Sequence, residues 1–441
     1  MIYSILKILL LPVHRFYYKK IIVEGKENIP KGSVSFTSNH QNAMMDAMAI
    51  AATSGRKPWF MARADMFTSA FYRFLLSVFR ILPIYRKKDG KDGLKKNDDV
   101  FDDAANLLLK GKSLALFPEA GHAEHRRLQA LRKGFVRIGF KALEKSEFKQ
   151  EIAIVPVGIY YSEFSQFRQY LHVRYGKPVL LSHYRELYES KPQKAFNIVK
   201  SQVAKRIIPM IINIKNYDYY HTFERLISFY TERILPMLGI GPRNERNLFL
   251  ARQKIIYLMN HVLEHKPQQF HDLRLAIDDH FNDIKRLGFE VREIERFENK
   301  PVSMLPRILG LVLLFPVALY GFAWNVIPYY ITRISAKKAG DPHFLSTYKF
   351  GVGVLAFPLF YLLTGWGLSQ LFTNSFEFLS WLLSLPLAGL IAYKWRHWFR
   401  EWNVNRKLNK AVKSGQGDEF EMLKQRKALL EQIDALIEPY F

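Results

Sequence analysis

The sequence predicts an α/β fold, a mixed sheet flanked by helices, followed by helical and membrane-embedded segments toward the C-terminus. Three observations indicate this fold. Over residues 30–215, short β-rich runs alternate with helical stretches. Residues 216–302 lose the strand pattern and are charged, amphipathic and mostly helical in character. Residues 308–331 and 350–372 then contain no charged residue, which is typical of helices that cross a membrane.

The composition limits what the chain can be. It has 441 residues, 49% of them hydrophobic, so it is long enough for two or more folded units. The formal net charge of +25 attracts polyanions, namely nucleic acid, anionic lipid headgroups or phosphorylated substrates. The sequence has no cysteine, which excludes disulfides, iron–sulfur clusters, thiolate zinc sites and cysteine nucleophiles.

The first 20 residues are apolar, with Lys7 inside the stretch and basic residues over 14–20. A signal peptide would begin with its charge and end in a small-residue cleavage site, and this stretch does neither. We therefore expect residues 1–20 to be a retained interfacial membrane anchor, with its basic residues at the level of the lipid headgroups. An ordinary core helix is the alternative.

We expect residues 21–215 to form the α/β unit. The predicted strands are Val34–Thr37, Trp59–Ala62, Leu82–Tyr85, Leu114–Phe117, Ile152–Gly158 and Leu171–Tyr175. The predicted helices cover residues 45–54, 67–79, 98–110, 131–146 and 193–212. Ligands of such sheets usually bind beyond the strand ends. Because His40, Arg86 and Glu119 each follow a predicted strand, all three are expected to meet at one edge of the sheet.

We predict that residues 303–395 are embedded in a membrane. A helix of about 20 apolar residues crosses a hydrocarbon core of about 30 Å, and the runs 308–331 and 350–372 are long enough. The run 378–393 is also uncharged but is marginal in length. Aromatic residues cluster near the ends of these runs, as interface anchors do. The alternative is burial inside a soluble domain. Residues 396–441 are predicted to be a basic tail with an amphipathic helix.

Basic residues predict the orientation of these runs. The loop between the first two runs is basic, and so is the tail after the third run; their lysines and arginines are Arg333, Lys337, Lys338, Lys349, Lys394, Arg396, Arg400, Arg406, Lys407, Lys410 and Lys413. The positive-inside rule places both on the cytoplasmic side, where the α/β unit is also expected. The first run would then enter and leave on one side, so we expect Pro316, Asn325 and Pro328 to break it into a re-entrant helix.

Four short blocks in the α/β part carry the residues that point to chemistry. The first block, SNHQNAMMD, follows the first predicted strand, and a lone His near an Asp is weak on its own. The other blocks are ILPIYRKK (81–88), LALFPEAGH (114–122) and IVPVGIYY (154–161). The four blocks in this order and spacing are a specific signal.

Together these blocks resemble those of the glycerolipid acyltransferase family, over about residues 20–215. That family transfers acyl groups to glycerol-3-phosphate and lysophosphatidic acid. The matching positions are Asn39, His40 and Asp46, then Ile84–Arg86, then Phe117–Glu119 with Ala120 in the usual glycine place, then Val155–Val157. Five residues separate His40 from Asp46 where the common pattern has four. This spacing resembles the branch that includes fungal glycerol-3-phosphate/dihydroxyacetone-phosphate acyltransferases, which also carries hydrophobic segments C-terminal to the catalytic domain.

The residue types suit that chemistry. Acyl transfer from a thioester to an alcohol needs the hydroxyl to lose its proton as it attacks, and a neutral imidazole does this near pH 7. His40 is the expected general base, and Asp46 the group that orients it and stabilises the imidazolium. Since residues i and i+6 of a continuous helix do not share a face, the turn between them is expected to be partly non-helical.

Five further residues are expected to bind substrate. Arg86 is the expected phosphate clamp because its planar fork binds phosphate oxygens bidentately. Lys87 assists it or belongs to a solvated charge run. Glu119 binds a glycerol hydroxyl, holds Arg86, or is a structural carboxylate. Gly121 lets the backbone approach the ligand. Lys133, with Arg137 four residues on, meets a second anion such as acyl-CoA phosphates, or is simply solvated.

The function expected from these residues is a membrane-bound O-acyltransferase of phospholipid synthesis. The donor is acyl-CoA or acyl carrier protein, and the acceptor is glycerol-3-phosphate or 1-acylglycerol-3-phosphate. Membrane lipids are expected partners and nucleic acid is not. We expect no cofactor and no metal, because the spacing of His122, Glu124 and His125 does not match a zinc motif. The alternative is a membrane lipid-binding or lipid-transport protein whose acyltransferase-like domain is not catalytic.

Overall fold

The computed structural model of the chain describes residues 2–85, 90–119, 125–299 and 304–440. The chain divides into two compact units. The first comprises Met1–Asn213 and Ile334–Val352, and the second comprises Ile214–Arg333 and Gly353–Phe441. The first unit therefore contains the predicted α/β region together with a short piece that connects two of the apolar runs.

An eight-stranded mixed sheet forms the centre of the first unit, within the described residues. Its strands are β1 Lys20–Glu24, β2 Ser33–Ser38, β3 Trp59–Arg63, β4 Ile81–Ile84, β5 Ser113–Leu116, β6 Ile152–Tyr161, β7 Tyr170–Tyr175 and β8 Val179–Leu180. The order is β1-β7-β6-β2-β5-β3-β4, with β8 also paired to β6. Strands β6 and β7 pair antiparallel, as do β6 and β8, and the other pairs are parallel. The predicted mixed α/β fold is confirmed.

Helices cover the sheet at nearly the predicted positions. The helices of the first 213 residues are α1 Ile2–Tyr17, α2 Ala43–Thr53, α3 Ala70–Val78, α4 Gly90–Leu109, α5 Gly134–Lys145, α6 Arg185–Ser190 and α7 Pro192–Ile207. Leucine, phenylalanine and valine side chains of α4, α5 and α7 join those of β5 and β6 in one buried core. Every residue of β2 and β6 is buried, as expected for strands covered on both faces. These two neighbouring strands fix the position of the loops at their ends.

Pro156 lies inside central strand β6, where a missing N–H is usually not tolerated. On one side it pairs with Thr37 of β2. On the other side, β8 pairs with β6 only as far as Ile154, and β7 begins to pair at Val157. The carbonyl of Pro156 faces this gap and accepts a hydrogen bond of 2.8 Å from the N–H of Gly176. Its missing N–H therefore falls where no partner strand needs it.

Residues Ile334–Val352, here named the connector, pack within the first unit. The Ser346 hydroxyl donates to the carbonyl of Phe164, and the Lys349 amine donates to that of Ser165 at 2.6 Å. The Phe350 ring lies 6.2 Å from that of His14 and 5.8 Å from that of Tyr17, both buried in α1. The connector is thus fixed to α1 and to the loop after β6, a contact that the sequence did not predict.

The second unit is helical in its described residues. Its remaining helices are α8 Tyr220–Phe229, α9 Thr231–Met237, α10 Glu245–His265, α11 Pro267–Arg286, α12 Val291–Asn299, α13 Met304–Lys337, α14 Leu345–Gly367, α15 Ser375–Ser414 and α16 Asp418–Ile437, of which α13 and α14 reach into the connector. Arg426 of α16 is almost fully buried, donates to both carboxylate oxygens of Glu298, and lies 3.3 Å from the ring nitrogen Nε2 of His280. This paired charge joins α16 to α11 and α12.

Three helices of the described chain are long and apolar enough to cross a membrane. They span Pro306–Lys337, Pro342–Gly367 and Ser375–Ser414, with 32, 26 and 40 residues. They contain the first and third uncharged runs of the sequence and most of the second. The third run, predicted to be marginal at 378–393, is part of the longest helix, because the helix continues into the basic tail.

The predicted break of the first apolar run is wrong, because α13 is one continuous helix through Pro316 and Pro328. A helical proline leaves a carbonyl one turn back without its donor, and neighbouring helices can satisfy such groups. The indole nitrogen of Trp395 in α15 donates at 2.8 Å to the carbonyl of Leu311, the residue before the one whose carbonyl Pro316 leaves without its helical donor. The amide of Asn325 donates to the carbonyls of Gly321 and Leu385, which joins α13 to α15 instead of ending it.

Gly158 of β6 tests how closely the sheet packs near the site. A Cβ atom at this position would meet the Cβ of Met210 and lie 2.9 Å from its carbonyl oxygen. We expect Gly158→Ala to lower the free energy of unfolding by about 1–3 kcal/mol, since backbone must move to make room. The measurement is the thermal unfolding midpoint in detergent. Gly134→Ala is the control, because its Cβ would make an ordinary contact of 3.6 Å with Phe101; equal midpoints for the two variants would contradict the prediction.

Candidate active site

The turn between β2 and α2 carries the candidate site. Asn39 is fully buried, and its amide spans to β6: Nδ2 donates to the carbonyl of Ile159 at 2.9 Å, and Oδ1 accepts from the Ile159 N–H at 2.8 Å. These two hydrogen bonds mimic those between the backbones of paired strands, and they fix the start of the turn. Ala43 then begins α2 with a positive φ of 41°. The turn is therefore non-helical, as the five-residue spacing predicts.

Asp46 is at the centre of this turn and is fully buried. Its Oδ2 accepts three hydrogen bonds, from His40 Nδ1 at 2.9 Å and from the backbone N–H groups of Gln41 and Asn42, both at 2.8 Å. Its Oδ1 accepts a fourth, from the Tyr161 hydroxyl at 2.8 Å. Four donors compensate the cost of burying a carboxylate. The structure thus brings His40 and Asp46 together.

The His40 ring is held in one orientation. A carboxylate only accepts, so Nδ1 carries the proton in this bond and the basic lone pair is on Nε2. The ring stacks on Phe117, with centroids 4.4 Å apart and an interplanar angle of 20°. The His40 side chain is 20% exposed, whereas that of Asp46 is 1% exposed. A small molecule can therefore reach the imidazole, whereas the carboxylate behind it is shielded from water.

Glu119 lies beside the same turn, after the end of β5. Its Oε2 accepts the backbone N–H of His40 at 3.3 Å, and its Oε1 accepts that of Gln129 at 3.2 Å. Burial raises the pKa of the Glu119 carboxyl to about 8; the two N–H donors lower it, and the negative charge of Asp46 raises it further. The carboxyl is therefore largely neutral at pH 7, next to the backbone of the residue that would act as base.

Residues 20–160 match the family model for Acyltransferase. This part of the chain is an acyltransferase-family domain. Relatives include glycerol-3-phosphate O-acyltransferase 2 of Saccharomyces cerevisiae, 24% identical over 161 residues, or 36% of this chain and 21% of the relative. The chloroplastic 1-acyl-sn-glycerol-3-phosphate acyltransferase of Arabidopsis thaliana is 25% identical over 147 residues, 33% of this chain and 36% of the relative. An uncharacterized acyltransferase of Schizosaccharomyces pombe is 22% identical over 249 residues, 54% of this chain and 35% of the relative.

This chain spans between about a fifth and just over a third of the length of these curated relatives. Among solved structures, it is similar to the crystal structure of the 1-acyl-sn-glycerophosphate acyltransferase of Thermotoga maritima. That similarity has a TM-score of 0.32 and 16% sequence identity, and covers 44% of this chain and 78% of the other.

Three predicted substrate-binding residues of the acyltransferase domain, Arg86, Lys87 and Gly121, lie outside the described residues. The strand before Arg86, β4, runs parallel to β3. Strand β3 in turn runs parallel to β5, and β5 to β2. The carboxyl ends of these strands therefore meet at one edge of the sheet, the edge where His40 and Glu119 lie.

Lys133 is placed differently from the expectation. It precedes α5, and its amine donates to the side-chain carbonyl of Gln193 in α7 at 2.9 Å. Arg137, one turn on, lies 3.6 Å from the carboxylate of Asp98 and over the ring of Phe101. Both cations thus have protein partners, and a role in binding a second anion stays a prediction.

Sequence reasoning missed two side chains that hold the site. Tyr161 ends the IVPVGIYY block, and its hydroxyl bonds to Asp46 from a position 115 residues away. Arg126 is buried, and its guanidinium donates to the carbonyls of Tyr161 and Ser162 at 2.9 and 3.2 Å. Tyr161 lies in the IVPVGIYY block, so its position at the end of a strand could have identified it. Arg126 has no such signal, because its partners are backbone atoms.

Among the described residues, one group of side chains could hold a metal ion, and it does not lie in this turn. His261, Glu264 and His265 of α10 have ligand atoms within 4.8 Å of one another, in the second unit. Two of the three side chains are exposed.

The raised pKa of Glu119 predicts a pH dependence of stability. Because the folded state holds this proton more tightly than the unfolded state, the stabilisation is complete below about pH 4.5 and is lost as the pH rises through about 8. Wild-type protein should lose on the order of a few kcal/mol of stability across this range from this group. Glu119→Gln, which cannot ionise, should show a smaller fall in thermal midpoint between pH 6 and pH 8.5. Glu147→Gln, at an exposed residue, is the control; parallel pH curves for wild type and Glu119→Gln would contradict the prediction.

Proposed function

We propose that this chain is a membrane-bound O-acyltransferase of phospholipid synthesis. It moves a fatty acyl group from acyl-CoA or acyl carrier protein to glycerol-3-phosphate or 1-acylglycerol-3-phosphate. The observation that carries the proposal is the bond between Asp46 and His40, at a strand end of an acyltransferase-family domain. The names of the yeast and Arabidopsis relatives state these two acceptors, and both acceptors have a free hydroxyl beside a phosphate.

The reaction uses His40 as a general base. Nε2 takes the proton of the acceptor hydroxyl as its oxygen attacks the thioester carbonyl. The new C–O bond forms, the C–S bond breaks, and the thiolate leaves with the proton that the imidazolium returns. Asp46 stabilises the imidazolium in between, and its four hydrogen bonds keep its carboxylate fixed in place. No covalent intermediate with the enzyme forms.

Substrate binding is proposed for the residues around this base. Arg86, with Lys87, binds the acceptor phosphate at the end of β4, and Gly121 lets the backbone come close to the ligand. Glu119, neutral near pH 7 because burial raises its pKa, donates a hydrogen bond to a glycerol hydroxyl. Lys133 meets the donor's phosphates after leaving Gln193. The formal net charge of +25 supports anionic substrates and an anionic membrane surface.

We place the acyltransferase domain on the cytoplasmic face of the membrane, with residues 1–20 as an interfacial anchor and residues 303–395 as the embedded part. Helix α1 exposes Ile8 and Leu9, 71% and 62% accessible, which suits a helix lying in a lipid surface. The connector is basic, and it packs on the same unit as the site. The positive-inside rule then supports a cytoplasmic position for both, which requires that the continuous helix α13 does not cross the membrane from one side to the other.

Acyl transfer from labelled acyl-CoA by the detergent-purified protein tests the function. Glycerol-3-phosphate and 1-acylglycerol-3-phosphate are offered separately. We expect turnover with one of them, and a fall of about 10²–10⁴-fold in kcat for His40→Ala and for Asp46→Asn, since general-base catalysis has this magnitude. His183→Ala, at an exposed histidine of the same unit, should keep wild-type activity. Full activity of His40→Ala would refute the site. Acceptor binding without turnover, with either acyl donor, would favour the lipid-binding alternative.

The absence of cysteine makes the topology directly measurable. Single cysteines replace Glu147 in the acyltransferase domain, Lys338 in the connector, and Gln370 between α14 and α15. We expect a membrane-impermeant maleimide to label the first two from the cytoplasmic side of sealed vesicles and the third from the other side. Detergent-opened vesicles give full labelling as the control. Labelling of the Lys338→Cys and Glu147→Cys proteins from opposite sides would contradict the placement.

A further inference from the structure

Tyr161 is the last residue of β6 and is fully buried. Its hydroxyl donates to Oδ1 of Asp46 at 2.8 Å, while the three donors of the turn bind Oδ2. The carboxylate is therefore held at both oxygens, from two different parts of the fold. A carboxylate held at one oxygen can still rotate about its bond to Cβ, whereas one held at both cannot. The direction of the bond to His40 Nδ1 then depends on Tyr161.

Tyr161 is itself fixed from the backbone side. Its carbonyl accepts a hydrogen bond of 2.9 Å from Nη1 of Arg126. The Nη2 atom of the same guanidinium donates to the carbonyl of Ser162. The guanidinium of Arg126 lies over the rings of Tyr160 and Phe164, at 5.3 and 4.6 Å. A buried cation that bonds to two successive carbonyls sets the end of the strand, and hence the place from which the phenol reaches Asp46.

Tyr18, the residue after α1, packs behind the phenol. It is 2% exposed, and its ring centroid lies 6.1 Å from that of Tyr161. Arg168 holds this end of α1, because its backbone N–H donates to the carbonyl of Tyr17 at 2.8 Å and its guanidinium to those of Phe16 and Tyr18. The end of the proposed membrane anchor therefore limits how far Tyr161 can move away from Asp46.

The phenol of Tyr161 is a permanent donor. Burial raises its pKa far above the ordinary value, and the negative charge of Asp46 acts in the same direction. It therefore keeps its proton near neutral pH. Its hydroxyl can only donate toward a carboxylate, so the bond to Asp46 does not reverse.

We propose that Tyr161 is a positioning residue of the acyl-transfer reaction, which fixes the Asp46 carboxylate so that His40 presents Nε2 to the acceptor, and that Tyr18 at the end of α1 holds it there. The inference rests on the proposed function. It assigns Tyr161 at the end of β6 and Tyr18 after α1 to the support of the catalytic dyad, and the four-block pattern gives neither tyrosine this role. Neither tyrosine touches substrate in this role.

Tyr161→Phe tests the proposal, because it removes one hydroxyl and keeps the ring. We expect kcat to fall about 10- to 100-fold while the KM values for donor and acceptor change less than about twofold. The low-pH limb of the kcat/KM profile should move to higher pH, since a carboxylate that has lost a donor stabilises the imidazolium more strongly. A merely structural tyrosine would change stability and leave that limb in place.

Tyr160→Phe is the matched control. This neighbouring tyrosine is equally buried but points to the other face of β6, where its ring packs on that of His172 and on Arg126. It should keep wild-type kcat and the wild-type pH profile. The double variant Tyr161→Phe/Asp46→Asn should be no slower than Asp46→Asn alone, because the two residues act through one interaction.

The outcomes are distinguishable from failure of the proposed function. If wild-type protein transfers no acyl group, the function itself is wrong. If wild type is active and Tyr161→Phe equals it in kcat and pH profile, the positioning role is overturned; additive losses in the double variant would also overturn it. Should Tyr161→Phe not fold, Tyr18→Leu decides, because it removes the ring that packs behind Tyr161: a lower kcat with the same shift of the low-pH limb supports the proposal, and unchanged values refute it.

Discussion

The Oδ2 atom of Asp46, with its three hydrogen bonds, is the constraint on which the rest of the site depends. Two of its donors are backbone N–H groups of the turn, so the same atom closes the turn and orients the imidazole. A five-residue spacing would place His40 and Asp46 on different faces of a continuous helix. The two side chains still meet because α2 begins only at Ala43, after a turn whose backbone the Asp46 carboxylate binds. The proposed general-base chemistry and the local fold therefore depend on the same carboxylate oxygen.

The sheet supplies the rigid frame for that turn. Central strands β2 and β6 are buried along their whole length, and the Asn39 amide ties the turn after β2 to the backbone of β6. The loop after β6 is tied in turn to the connector, since the carbonyl of Phe164 accepts bonds from Asn42 and from Ser346. Residues far apart in the chain, at the end of α1 and at the start of α14, thus converge on the few residues that carry the proposed chemistry.

Much of this organisation could be predicted from the sequence. Alternating β-rich and helical runs predicted six of the eight described strands and the helices α2, α3, α4, α5 and α7, but not β1, β8 or α6, and the uncharged runs predicted three membrane-length helices. The contact between His40 and Asp46 could be predicted because only five residues separate them in the sequence. Contacts across the fold could not: Tyr161 reaches Asp46 over 115 positions, and Ser346 reaches Phe164 over 182. The predicted break of α13 failed because Trp395 and Asn325 provide hydrogen bonds between helices that local sequence does not reveal.

The proton on the His40 ring is the most direct test of the account. In ¹⁵N-histidine-labelled protein above the range where imidazole protonates, the His40 nitrogens should report a single tautomer with the proton on Nδ1, because the carboxylate of Asp46 accepts it. The signal is assigned by its loss in His40→Gln, and Asp46→Asn should shift it toward a mixture. A proton on Nε2 in the wild-type protein would leave the acceptor facing a donor instead of a base, and would contradict the proposed mechanism.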